Sequence, residues 1–107
     1  MNKDEIHFDL LRRLEKNPQY TQRALSKDMG ISLGKVNYCV KKIIEKGWVK
    51  ASNFSKNPNK LNYTYLLTPS GIESKAKLTI SFLHKKIEEY EELKSEISQL
   101  KEDSEKL

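Results

Sequence analysis

The chain is poor in the residues that build covalent or metal-held frameworks. One cysteine, Cys39, occurs in 107 residues. An intrachain disulfide is excluded, and a lone thiol fits a reducing compartment. The two histidines, His7 and His84, have no cysteine or carboxylate at recognisable ligand spacing, so no metal site is expected. No nucleophile-and-base set and no glycine-rich phosphate loop is present, so neither an enzyme nor a cofactor is expected. Long apolar runs are missing too. The first residues, MNKDEIHFDLL, carry charges throughout, which predicts no signal peptide. No stretch is long and apolar enough to span a bilayer. A cytoplasmic, prokaryotic location without a membrane partner is the expectation.

Apolar residues make up 36% of the chain and charged residues 33%. Such a core is small, and oligomerisation is a natural source of extra stability. The net charge of +5 is unevenly spread. Residues 1–70 hold 13 Lys and Arg against 6 Asp and Glu, a net of +7. Residues 71–107 hold 7 against 9, a net of −2. A basic body with a near-neutral tail suggests one surface for a polyanion and another for something else. A soluble basic protein without such a partner fits the composition equally well.

Three helix starts repeat one device. Thr21, Ser32 and Thr68 can each accept a hydrogen bond from the first turn of a helix. Apolar pairs flank them at staple spacing: Tyr20 with Leu25, Ile31 with Val36, and Leu67 with Ile72. Asn2 and Glu5 have capping-box spacing, which predicts a first helix over 2–16 with Ile6, Leu10, Leu11 and Leu14 inward. Asn17-Pro18 stops it. A second helix runs over about 22–29, with Leu25 and Met29 inward, and Gly30 ends it.

A third helix is predicted over about 33–46. Leu33, Val36, Val40, Ile43 and Ile44 form its apolar face. Gly34, Lys35, Tyr38, Lys41, Lys42 and Glu45 lie opposite. Gly47 closes it, and Trp48 packs back towards Ile43. Two helices joined by a short turn, the second with a basic outer face, form a helix-turn-helix of the kind that enters a DNA major groove. Strands over 48–54 and 63–67, joined by the polar loop SKNPNKLN, add a wing.

On this reading Lys35, Lys41 and Lys42 suit phosphates or guanine edges. Asn37 and Tyr38 can hydrogen-bond bases or phosphates, although Asn37 borders the buried face. Ser32 and the helix N-terminus offer donors to a phosphate, and Gly34 lets backbone approach DNA closely. Lys56, Asn57, Asn59 and Lys60 at the wing tip, with Arg23 and Lys27 on the second helix, are further contact candidates. The bland alternative is a solvated lysine face. Cys39, on the flank of the third helix, reads as a packing residue rather than a redox sensor.

Pro69 opens the last helix at the tolerated first position. No glycine or proline follows Gly71, so that helix can reach the C-terminus. Its apolar residues Ile80, Leu83, Ile87, Tyr90, Leu93, Ile97 and Leu100 step by 3, 4, 3, 3, 4 and 3, and Leu107 follows. That is a heptad-like seam with one interruption near Tyr90. A coiled coil is expected, with Leu83, Ile87, Tyr90, Leu93, Ile97, Leu100 and Leu107 joining two copies. The division is thus a DNA-binding unit over 1–70 and a dimerisation helix over 71–107.

The stretches TQRALSKDMGIS, VNYCVKKIIEKGWV and LLTPSGIE resemble the winged helix-turn-helix transcriptional regulators of the MarR family. The resemblance spans roughly residues 10–73. The shorter members called EPS-associated regulators, found near exopolysaccharide gene clusters, are the nearer likeness. It implies a sequence-specific, homodimeric, nucleoid-associated DNA-binding regulator whose helix over 32–46 reads the major groove. The wing here lacks the family's aspartate-arginine pattern, and the N-terminus is short where larger members build a ligand pocket. A small-molecule effector is therefore not expected. The rival readings are a sequence-nonspecific architectural protein and a protein-interaction module that does not bind DNA.

Overall fold

The computed structural model describes residues 2–53 and 63–107. The order is α1 (Lys3–Lys16), α2 (Gln22–Met29), α3 (Leu33–Glu45), β1 (Val49–Asn53), β2 (Tyr63–Leu67) and α4 (Pro69–Glu105). This is the expected mainly helical architecture with a small hairpin. The wing-tip candidates Lys56, Asn57, Asn59 and Lys60 lie outside the described residues. The chain divides into two compact units, Met1–Ala76 and Lys77–Leu107.

Each helix start is closed by the side chain the sequence offers. Asn2 Oδ1 accepts from the Glu5 N–H at 2.9 Å, and Thr21 Oγ1 from Ala24 at 3.0 Å. Ser32 Oγ accepts from Lys35 at 3.1 Å, and Thr68 Oγ1 from Gly71 at 3.0 Å. One such cap stabilises a helix by about 1 kcal/mol. The ends are as local. Gly30 (φ 67°) and Gly47 (φ 76°) take the left-handed conformation. After α3 the Gly47 N–H donates to the Ile44 carbonyl at 2.9 Å, and the Trp48 N–H to the Ile43 carbonyl at 3.0 Å. This pair of bonds satisfies carbonyls that a helix end leaves open.

The core of the first unit gathers Ile6, Leu10, Leu11 and Leu14 of α1, Leu25 of α2, and Val36, Val40 and Ile43 of α3. Val49 and Tyr65 add the inner face of the hairpin. The strands pair antiparallel with Val49 opposite Leu67 and Ala51 opposite Tyr65. With a side-chain period of two, that register turns Lys50 and Leu66 outward together. The Tyr65 N–H donates to the Pro18 carbonyl at 2.8 Å, which holds β2 against the α1–α2 connection.

Helix α3 departs from the expected pattern at its edges. Leu33 is 43% and Ile44 36% exposed, whereas Cys39 is 3% exposed. Positions 36, 39, 40 and 43 follow the i, i+3, i+4, i+7 stripe of one face, and a body this small covers little beyond it.

His7 is a second departure. It lies inside α1's buried stripe at 1% exposure, with no hydrogen-bond partner for either ring nitrogen among the described residues. Its ring meets Trp48 edge-on, with centroids 6.1 Å apart. Burial lowers its pKa below the usual 6.5; Lys46 and Lys3 push the same way, and Asp4 opposes them. The folded state therefore holds the neutral imidazole.

The α4 start is packed tightly against the end of α3. The Thr68 N–H donates to the Trp48 carbonyl at 3.0 Å, and the Thr68 hydroxyl donates to the Gly47 carbonyl. A Cβ built on Gly71 would stand 1.9 Å from that same Trp48 oxygen. Only glycine fits there, although its φ is not in the left-handed region.

Helix α4 is 37 residues long, about 55 Å at 1.5 Å per residue. It stops at Glu105, so Leu107 does not extend the helical seam as the spacing suggests. The Leu107 N–H reaches only the Ser104 carbonyl, at 3.3 Å, in a tightened last turn typical of a helix end. Among the described residues, no helix is long and apolar enough to cross a membrane.

Two outcomes follow from this packing. Gly71→Ala forces a methyl group into backbone and should lower unfolding stability by about 3 kcal/mol; an unchanged denaturant midpoint rejects the contact. His7 should contribute to acid sensitivity. Its folded pKa is lowered, so the unfolded chain binds more protons. Stability is then full above pH 6.5 and erodes as pH falls below 6.5 towards the lower folded value. His7→Phe should flatten that decline in denaturant titrations at pH 7.5 and 5.5, buffers spanning the ordinary histidine range of roughly 6.5. Parallel declines in the two proteins would remove His7 as the cause.

Candidate nucleic-acid interface

The site is built on α3, the second helix of the helix-turn-helix. Its start is set by Ser32, whose oxygen is already engaged by the Lys35 N–H. The donors of the first helical turn have no intrahelical acceptors, so this end carries partial positive charge. Ser32, Gly34, Lys35, Tyr38 and Lys41 are all exposed, with Tyr38 at 55%. Lys42 is half-buried. Its ammonium lies 3.4 Å from Glu45 and 5.4 Å from the centre of the Tyr38 ring. The surface pair adds little stability, but it tethers Lys42 beside Tyr38.

Gly34 is informative in another way. A Cβ there would meet nothing within 4 Å. The chain's own packing therefore gives no reason for glycine at this position. The cost of glycine inside a helix is about 1 kcal/mol relative to alanine.

Asn37 is placed differently from its neighbours. Its Nδ2 donates to Gln22 Oε1 at 3.1 Å, and Gln22 Nε2 donates to the Tyr65 hydroxyl at 3.2 Å. This side-chain relay joins α3, α2 and β2. Asn37 thus has a structural employment that its border position allows, with its amide N–H already directed inward. Gln22 and Tyr65 were not marked by the sequence pattern; an amide on one helix facing an amide on the next carries no periodic signal.

Arg23 and Lys27 are exposed on α2, which leads through Gly30 into α3. A second basic cluster sits at the end of α1. Asp9, Arg12, Arg13, Lys16, Asn17 and Tyr20 line an open hollow of about 290 Å³. Arg13 Nε is 3.0 Å from Asp9, and Arg13 Nη1 donates to the Tyr20 hydroxyl at 3.4 Å. The Tyr20 hydroxyl in turn donates to Asp28. The run Arg12-Arg13 with Lys16 one turn later was the available signal for this cluster.

Cys39 faces the core rather than the basic surface. Burial raises its thiol pKa, while Lys35 and Lys3 pull the other way. A buried thiol held in its neutral form is a poor nucleophile.

Comparison with known proteins agrees with this geometry. Residues 3–50 match a family described as winged helix-turn-helix DNA-binding. None of the curated proteins matches the chain. Among solved structures, the transcriptional regulator BldR from Sulfolobus solfataricus superposes with a TM-score of 0.66 at 19% identity, covering 80% of this chain and 59% of that one. The PcaV transcriptional regulator from Streptomyces coelicolor gives 0.64 at 15% identity, covering 73% and 54%. A MarR protein from Peptoclostridium difficile gives 0.63 at 23% identity, covering 94% and 67%. The first two are thus matched over less than two thirds of their own length. The winged helix-turn-helix fold of MarR-type regulators, expected from the sequence, is the fold of this chain.

The burial of Cys39 has a measurable consequence. In the native protein its thiol should label with a disulfide reagent far more slowly than in denaturant, and Cys39→Ser should keep DNA binding and any peroxide response unchanged. A peroxide-induced release of DNA that vanishes in the serine variant would establish a sensor instead.

Proposed function

Taking this MarR-type winged helix-turn-helix fold as the premise, we propose that the chain is a sequence-specific DNA-binding transcriptional regulator acting as a homodimer. The observation that carries it is the outer face of α3. Lys35, Tyr38 and Lys41 stand exposed on the second helix of the motif, with Lys42 tethered beside them. Gly34 leaves open space where the chain itself needs none. A phosphate backbone rewards the lysines, and base edges accept hydrogen bonds from whichever side chains reach them. Ser32 and the first turn of α3 supply further donors.

The homodimer is supported by α4. Seven seam residues from Ile80 to Leu100 are each 45–66% exposed in the single chain. Burying one leucine or isoleucine contributes roughly 1.5–3 kcal/mol, and an isolated charged helix is marginal in water. Two winged helices joined this way read two half-sites, and the second contact becomes intramolecular. The protein works in the cytoplasm on double-stranded DNA. The narrower likeness to EPS-associated regulators makes exopolysaccharide gene clusters the first place to seek its operator.

Binding sites mapped across the genome supply the operator for the decisive test. Replacing Lys35, Tyr38 and Lys41 together with alanine should reduce operator affinity by roughly a hundredfold or more, from contacts worth about 1–3 kcal/mol each. The circular dichroism spectrum should not change, because all three side chains are exposed. Retained affinity in a gel-shift assay would falsify this placement.

A further inference from the structure

We propose that the tail pairs with a second copy as a parallel, in-register, two-stranded coiled coil, its direction fixed by the residues of the seam and of its two flanks. This rests on the homodimer reading above and adds the geometry that reading leaves open.

The seam itself allows two directions. Its steps of 3, 4, 3, 3, 4 and 3 are symmetric about Tyr90. A parallel pair sets each residue beside its own copy. An antiparallel pair centred on Tyr90 sets Ile80 beside Leu100, Leu83 beside Ile97, and Ile87 beside Leu93. The residue types decide between them. In heptad terms Ile80, Ile87 and Ile97 occupy a, whereas Leu83, Leu93 and Leu100 occupy d, with Tyr90 at the reset between frames. Isoleucine at a with leucine at d is the combination that packs best in a parallel two-stranded coil. The antiparallel pair would mix the two types in every layer except Tyr90.

The flanks point the same way. Parallel coils bring each g residue near the e residue five positions on in the partner. Here that places Lys86 near Glu91, Glu89 near Lys94, and Glu96 near Lys101 of the other copy. All three pairs have opposite sign, and symmetry doubles each. The antiparallel pair brings g to g and e to e. It keeps Lys86 with Glu96, but sets Lys77 against Lys101. The single-chain contact of Lys86 with Glu89, at 3.0 Å, joins exposed groups and offers little resistance to re-pairing.

A shallow hollow of about 160 Å³ lies among Tyr90, Leu93, Lys94 and Ile97, where the heptad frame resets. A partner's side chain at the same level is the natural filling, since interruptions of this kind locally overwind the coil. By connectivity alone, a parallel pair joins both copies at the same end of the tail, at residue 77.

Charge reversal separates the directions without disturbing the fold. Full-length Glu96→Lys and Lys101→Glu variants are sedimented alone and as an equimolar mixture, beside the unaltered protein. In the parallel coil each variant alone places like charges together, so each homodimer should weaken about tenfold. The mixture restores opposite charges on both sides and should dimerise at least as tightly as the parent. If instead Lys101→Glu alone dimerises more tightly than the parent, the antiparallel pair is the structure, because Lys77 then gains an acid. If both variants dimerise like the parent, the flanks do not set direction and the proposal fails. A parent protein that sediments as a monomer overturns the homodimer reading itself, before direction is in question.

Discussion

The contact on which the first unit depends is the Trp48 carbonyl. It accepts the Thr68 N–H and lies where a Cβ on residue 71 would be. Four elements meet there: the end of α3, both ends of the hairpin, and the first turn of α4. Thr68 serves three of them at once. Its N–H holds Trp48, its hydroxyl donates to Gly47, and its oxygen accepts from Gly71. The Thr68–Trp48 bond is backbone to backbone and independent of rotamers, and the Thr68 hydroxyl adds two side-chain bonds beside it. It fixes the helix that carries Lys35, Tyr38 and Lys41 to the element that follows it, and it explains why a glycine is required outside any turn.

Helix α3 is then held from its other side by polar bonds rather than by more apolar area. The relay Asn37–Gln22–Tyr65 crosses from α3 through α2 to β2. Neutral side-chain bonds of this kind add about 1 kcal/mol each, less than a buried leucine. Their value is directional. An apolar stripe tolerates a helix sliding or turning by a few degrees, whereas a bond of 3.1 Å between two amides does not. The outer face of α3 is presented at one angle because its inner border is hydrogen-bonded.

The helix boundaries were legible because their causes lie within four residues. Asn2, Thr21, Ser32 and Thr68 all cap as their spacing indicates. Gly30 and Gly47 close α2 and α3 in the conformation that favours glycine. What failed to show in the sequence is what depends on residues far apart. The burial of His7 needs Trp48, 41 positions later, to cover it. Cys39 lies within the inner stripe, whereas Leu33 and Ile44 at its margins stay exposed. A hydropathy pattern ranks Leu33 and Ile44 above cysteine, but the width of the covering body decides which positions are enclosed. The Gly71 contact was half legible: Thr68 marked the start of α4, not the carbonyl that demands the glycine.

The two units differ in charge, and the proposed roles in recognition and assembly follow that difference. The first 70 residues carry a net of +7, and the last 37 a net of −2. On α3 the lysines are not balanced locally; Glu45 is the acid within the helix, and it engages Lys42. Uncompensated lysines repel one another; a polyanion's phosphates neutralise them, and the counterions it releases add to the driving force. In the tail, blocks of acids and bases sum to only −2, so two copies can approach with little long-range repulsion. A tail as basic as the body would have opposed its own pairing and competed for DNA. In the proposed coiled coil, near neutrality serves assembly twice: it lets the apolar seams meet, and it leaves the sign of neighbouring charges, rather than their sum, to set the direction in which they do so.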